Sequence, residues 1–229
     1  MQRRQTSAAI TALLLPWARG ATTIARADTS QADAASGIRA ALERGIASAI
    51  ALLGRPDGFL GNPKVRIPLP GFLENGAKLL RLSGQGARLD ELVTAMNRAA
   101  ESAVPQAAPL LRNAVKSMSV DDALRIVRGG DTAVTDFFAG KTREPLSVQF
   151  LPIVTRATER ASLASKYNAV AGKVSGMGLV KREDANLEHY VTGKALDGLY
   201  TMIGEEERKI RRDPVGTGSA LLKRVFGGG

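Results

Sequence analysis

Leu187-Glu-His-Tyr-Val-Thr-Gly-Lys-Ala-Leu-Asp-Gly-Leu-Tyr-Thr-Met-Ile-Gly-Glu-Glu-Glu-Arg-Lys-Ile210 is the stretch on which the fold turns. Leu187, Val191, Ala195, Leu199, Ile203 and Ile210 recur at spacings that place them on one face of an α-helix. The pattern predicts the longest helix of the chain, starting near Glu183 and ended by Pro214. Its charged run carries Glu205–Lys209 and Glu207–Arg211, which are i,i+4 pairs in the favourable order.

The same period recurs towards the N-terminus. From Ser30, Ile38, Leu42, Ile46, Ile50 and Leu53 form a stripe that Gly54 can cap. Further stripes are Leu73–Leu82, then Leu89, Leu92, Val93, Met96 and Ala100, interrupted by Pro105, then Leu110, Leu111, Val115 and Met118. Ser119 is placed to cap a helix whose first turn holds Asp121 and Asp122 and which stops at Gly129-Gly130. Asp131 is expected to cap a short helix with Val134, Phe137 and Phe138. A separate, longer one is expected from Leu146 towards Tyr167 and Val170. After Pro214, Leu221, Leu222, Val225 and Phe226 make a last short helix. The expectation is a single all-α domain of about eight or nine helices.

One segment breaks the pattern: Arg55-Pro-Asp-Gly-Phe-Leu-Gly-Asn-Pro-Lys-Val-Arg-Ile-Pro-Leu-Pro-Gly71. Pro56, Pro63, Pro68 and Pro70 forbid a helix and push the residue before each into extended geometry. Val65, Ile67 and Leu69 alternate with Lys64, Arg66 and Pro68. This reads as a long extended strap, apolar on one side and basic on the other. Asn62, Lys64 and Arg66 are its candidate binding residues, facing an anionic partner; otherwise the strap is a rigid tie with a solvated basic side.

Residues 1–27 have the layout of a signal peptide. Arg3 and Arg4 precede a short apolar run from Ala8 to Trp17, and Ala25-Arg26-Ala27 is an A-x-A pattern ahead of Asp28. The expected cut lies between Ala27 and Asp28, by the general secretory or twin-arginine route, leaving residues 28–229 in the periplasm. Four arginines and no acid would leave, so the net charge would fall from +10 to +6. No apolar run approaches the roughly 20 residues that cross a bilayer.

The Arg55–Gly71 motif resembles the signature of an exported bacterial family known as domain of unknown function 4197. Phe150-Leu-Pro-Ile-Val154, Lys194-Ala-Leu-Asp-Gly-Leu-Tyr200 and the residues from Glu205-Glu206 to Leu221-Leu222-Lys223 resemble it too. The resemblance implies export and an all-helical fold; it implies no activity, cofactor or catalytic residue.

The chain has no cysteine and one histidine, which excludes disulfides, thiolate chemistry and zinc sites built on several imidazoles. His189 lacks any nucleophile elbow to serve and reads as a surface residue. Gly140-Lys141-Thr142 and Gly176-Met177-Gly178 lack the partner glycines and strands of nucleotide loops. Neither metal nor cofactor is expected. With aromatics at 4% and no recognised motif, nucleic acid is not an expected partner. The expectation is a non-catalytic binding or envelope-associated protein, with an envelope protein or another ligand as partner. One alternative is a cofactor-free enzyme using Asn97, Glu101, Tyr190, Lys194 and Asp197, if their helix faces meet. The other is weak attachment to an anionic membrane surface through the basic, apolar C-terminal helix.

Overall fold

The computed structural model describes residues 21–71, 81, 82, 84, 86–130, 132–159, 167 and 186–212. Of the expected stripe Leu73–Leu82 only Leu82 is among them, and it is exposed rather than buried; Leu73, Leu79 and Leu80, the Gly176–Gly178 break and everything after Arg212 lie outside them. Helices α1 (Ala21–Leu53), α2 (Gly86–Ala103), α3 (Ala108–Lys116), α4 (Val120–Arg128), α5 (Ala133–Thr158) and α6 (Leu187–Arg212) are joined by turns and a 3-10 helix at Val104–Ala107. No strand occurs among the described residues.

α6 is the axis of the bundle. It packs on α5, α1 and α2, and Leu187, Val191, Ala195, Leu199 and Ile203 are buried as the period requires. Leu196, Tyr200 and Met202 are buried as well, because a helix walled in by several others loses most of its solvent face. Asn186 caps it, its side-chain oxygen accepting from the His189 amide at 3.0 Å. At the other end Arg208 pairs with Glu205 and Lys209 with Glu206, both at i,i+3. The expected Glu205–Lys209 pair is thus replaced. Glu207 faces inward, 6% exposed, while Glu205 is shared with a residue of another segment.

α5 differs from expectation. The short helix at Val134–Phe138 and the longer one from Leu146 are one continuous helix, carrying Pro145 and Pro152 within it. Both prolines face solvent. The carbonyls that lose a donor, four residues back at Lys141 and Val148, also belong to exposed residues, where water can replace the bond. The buried side is Val134, Phe138, Thr142, Leu146, Phe150, Val154 and Thr158, one residue in every four. At about 100° per residue such a stripe drifts by about 40° at each step. One flat partner cannot cover it, and α5 accordingly touches α2, α3, α4 and α6. It runs antiparallel to α6: Thr135 lies against Gly204, Thr142 bonds Tyr200, and Arg143 pairs with Asp197.

Ser119 caps α4 in a reciprocal box: its hydroxyl accepts from the Asp122 amide at 3.0 Å, and Asp122 accepts from the Ser119 amide at 3.2 Å. The Ser119 amide, then its hydroxyl, hold the Asp122 carboxyl below the usual aspartate range.

Gly198 is required by close approach. A Cβ there would stand 2.6 Å from Phe59 Cε1 and 3.3 Å from Val65 Cβ. Gly193, one turn earlier on α6, has nothing within 4 Å of the same position. Alanine gains about 1 kcal/mol of helix propensity at either site. At Gly198 overpacking costs about 1–3 kcal/mol against a wholly buried ring. Urea unfolding should therefore show G193A more stable than wild type by about 1 kcal/mol, and G198A without that gain and less stable than wild type by up to about 2 kcal/mol.

Candidate functional site

The segment between α1 and Gly71 lies across α2 and α6. Its first half is not extended. Gly54 closes α1 by donating to Ile50, and tight turns follow as Gly58 donates to Arg55, Gly61 to Asp57 and Asn62 to Phe59. Asp57 has φ 64°, a left-handed conformation that aspartate tolerates better than most residues. Only residues 66–70 run without turns. Along Val65–Leu69 the expected alternation holds: Val65 and Ile67 are buried and Leu69 half-buried, while Arg66 and Pro68 are exposed.

The strap has neither a helix ladder nor a sheet partner, so its buried backbone groups need side chains. Its four prolines bring no donor. Asn97 on α2, wholly buried, accepts from the Ile67 amide at 2.8 Å and donates to the Ile67 carbonyl at 2.9 Å, as a neighbouring strand would. Its second amide hydrogen goes to the Val93 carbonyl. Glu101, one turn on, accepts from the Phe59 and Leu60 amides at 3.0 and 3.2 Å through one oxygen. Its other oxygen takes Arg98 at 2.7 Å, and Arg98 also holds Asp57 at 2.8 Å. From α6, Tyr190 donates its hydroxyl to the Pro68 carbonyl at 3.1 Å. Asn62 accepts from the Lys64 amide and reaches towards the Met202 sulfur at 4.0 Å.

Magnitudes separate the roles. Burial of Phe59 and Ile67, both 0% exposed, stabilises by roughly 2–3 kcal/mol each. A satisfied hydrogen bond contributes about 1 kcal/mol, but an orphaned buried group costs about 1–3 kcal/mol. The apolar anchors hold the strap down; Asn97 and Glu101 remove the penalty for doing so.

Of the five residues of the enzymatic alternative, Asn97, Glu101 and Tyr190 therefore meet at the strap, each bonded to its backbone. Lys194 joins them indirectly, its ammonium 5.8 Å from the Tyr190 ring centroid. Asp197 stands apart in an ion pair with Arg143, which lies over the Tyr200 ring. Burial pushes the Tyr200 phenol up, opposed by its bond to Thr142. Of the binding candidates, Asn62 shapes the turn, Lys64 pairs with Glu205 at 3.0 Å, and Arg66 is exposed. His189 is exposed. Arg98 and Asp57 were not among the residues singled out from the sequence, and Glu205 was read there only as a partner of Lys209. Arg98 and Glu101 sit at the i,i+3 spacing of a helical ion pair, but nothing local says that Asp57 would join them. The expected C-terminal membrane-contact helix lies outside the described residues. Among those residues no helix is long and apolar enough to cross a membrane, and no acidic or histidine group could hold a metal ion.

The fold and site define an all-helical protein in which one irregular segment is pinned across two helices by buried polar side chains. The chain belongs to the family described as Protein of unknown function (DUF4197), whose profile matches residues 28–227. No curated protein and no solved structure matches it.

Two outcomes test the site. N97A should lose about 2–4 kcal/mol and expose the Ile67 amide to fast hydrogen exchange, while amides in α4 keep their protection relative to global unfolding. Bonds from Lys64, then Arg208, hold the Glu205 carboxyl below the usual glutamate range. This pairing is complete above the ordinary glutamate pKa and is lost as pH falls through the lowered one. An NMR titration of Glu205 should show that low midpoint, and K64A should move it up towards the ordinary value.

Proposed function

We propose that this protein is an exported, non-catalytic binding protein of the cell envelope, which presents the outer side of its strap to an anionic partner. One observation carries the reading. The polar atoms of Asn97, Glu101 and Tyr190, the groups best suited to chemistry, are bonded to strap backbone, while Arg66 projects to solvent from the same rigidly held segment. A cation on a fixed backbone binds with less ordering cost than one on a free loop.

Export has its own support. The family match begins at Asp28, the residue after the Ala25-Arg26-Ala27 pattern.

Protein recovered from the periplasmic fraction should have the mass of residues 28–229 and, without Trp17, only tyrosine fluorescence. Full-length protein confined to the cytosol would overturn the export reading. In a deletion strain with a measurable envelope phenotype, R66E should fail to complement while keeping the wild-type unfolding midpoint. Full complementation by R66E would remove the binding role of the strap.

A further inference from the structure

One stripe on the outer side of α6 holds Lys194, Asp197, Thr201, Glu205, Arg208 and Arg212, spaced by threes and fours, with the Glu206–Lys209 pair beside it. At 1.5 Å per residue it is about 27 Å long. Both of its acids are covered from outside the stripe, Asp197 by Arg143 of α5 and Glu205 by Lys64 of the strap. Arg208 shares Glu205. The ridge therefore carries five cations, Lys194, Arg143, Lys64, Arg208 and Arg212, against two carboxylates. Four of the five are pre-positioned: Lys194 over the Tyr190 ring, Arg143 over the Tyr200 ring and on Asp197, and Lys64 and Arg208 on Glu205.

We infer that this ridge is a track for a linear polyanion of the acidic polysaccharide class. The inference rests on the binding reading above and names the chemistry of the partner. A row of cations along a helix matches repeated charges on an extended chain; a compact anion would need converging donors. Thr201 is the only uncharged member of the stripe, so no large apolar side chain is there to enter a lipid surface. The two rings beneath the cations are 7% and 2% exposed, so neither offers a face for stacking nucleic-acid bases. A chain of sugar carboxylates needs neither feature.

The test is direct binding of the protein comprising residues 28–229 to a sized oligogalacturonate. The comparisons are monomeric galacturonate, single-stranded oligothymidylate and phosphatidylglycerol vesicles. The oligogalacturonate should bind best, and its affinity should fall steeply with salt. K194E with R212E, which leaves Arg66 and every ion pair of the ridge in place, should weaken binding at least tenfold with an unchanged circular dichroism spectrum. The inference is overturned if the monomer binds as well as the polymer, if vesicles or oligothymidylate bind better, or if the double variant binds like wild type. Absence of oligogalacturonate binding, alongside failed complementation by R66E, would remove the polysaccharide track and leave the envelope-binding reading standing.

Discussion

The structure depends on how an irregular segment is buried where it has no strand to pair with among the described residues. A helix satisfies its own backbone; residues 55–70 cannot. The solution is a side chain acting as a strand edge. Asn97 supplies one acceptor and one donor to the two backbone groups of Ile67, and Glu101 supplies one oxygen to two consecutive amides. The four prolines reduce the demand by bringing no amide hydrogen. With the polar account closed, Phe59, Val65 and Ile67 can fill the space between α2 and α6.

That insertion sets requirements elsewhere. Phe59 and Val65 reach α6 because position 198 has no side chain. Gly58 sits so close to the end of α1 that a Cβ would lie 2.4 Å from the Leu53 carbonyl oxygen, which allows the chain to fold straight back. Arg98 joins Glu101 to Asp57, so the one non-glycine residue with positive φ among the described residues is tied to the carboxylate that holds the strap. The chemistry follows from the same arrangement. Asn97, Glu101 and Tyr190 are committed to the backbone of the strap, while cations of the strap and of α6 face outward.

Much of the fold was legible in local pattern. The period of α1, α2 and α6, the Ser119 cap and the alternation at Val65, Ile67 and Leu69 depend on residues near one another in sequence. The continuity of α5 across Pro145 was not legible, because nothing local tells a proline that breaks a helix from one that does not. Whether it breaks a helix depends on whether the freed carbonyl faces water or a neighbour. The i,i+3 pairs near the end of α6 were missed for a similar reason: Glu205 had a distant competitor in Lys64. For the site, spacing placed Asn97 and Glu101 on one face of α2 and Tyr190 on α6 without saying what those faces would meet.

The sequence by itself determined the helices, the irregular strap with its two-sided pattern and the chemistry of each candidate residue, because periodicity and proline act over a few residues. The family follows from the sequence as well. Only the tertiary structure decided that Asn97, Glu101 and Tyr190 bond to backbone, that Lys64 and Arg143 shield the acids of α6, and that Asp57 belongs with Arg98. Those pairings join residues 41 to 141 positions apart, save Asn97 with Ile67, which spans 30. Their partners are chosen by the packing of helices against one another, which no local pattern encodes.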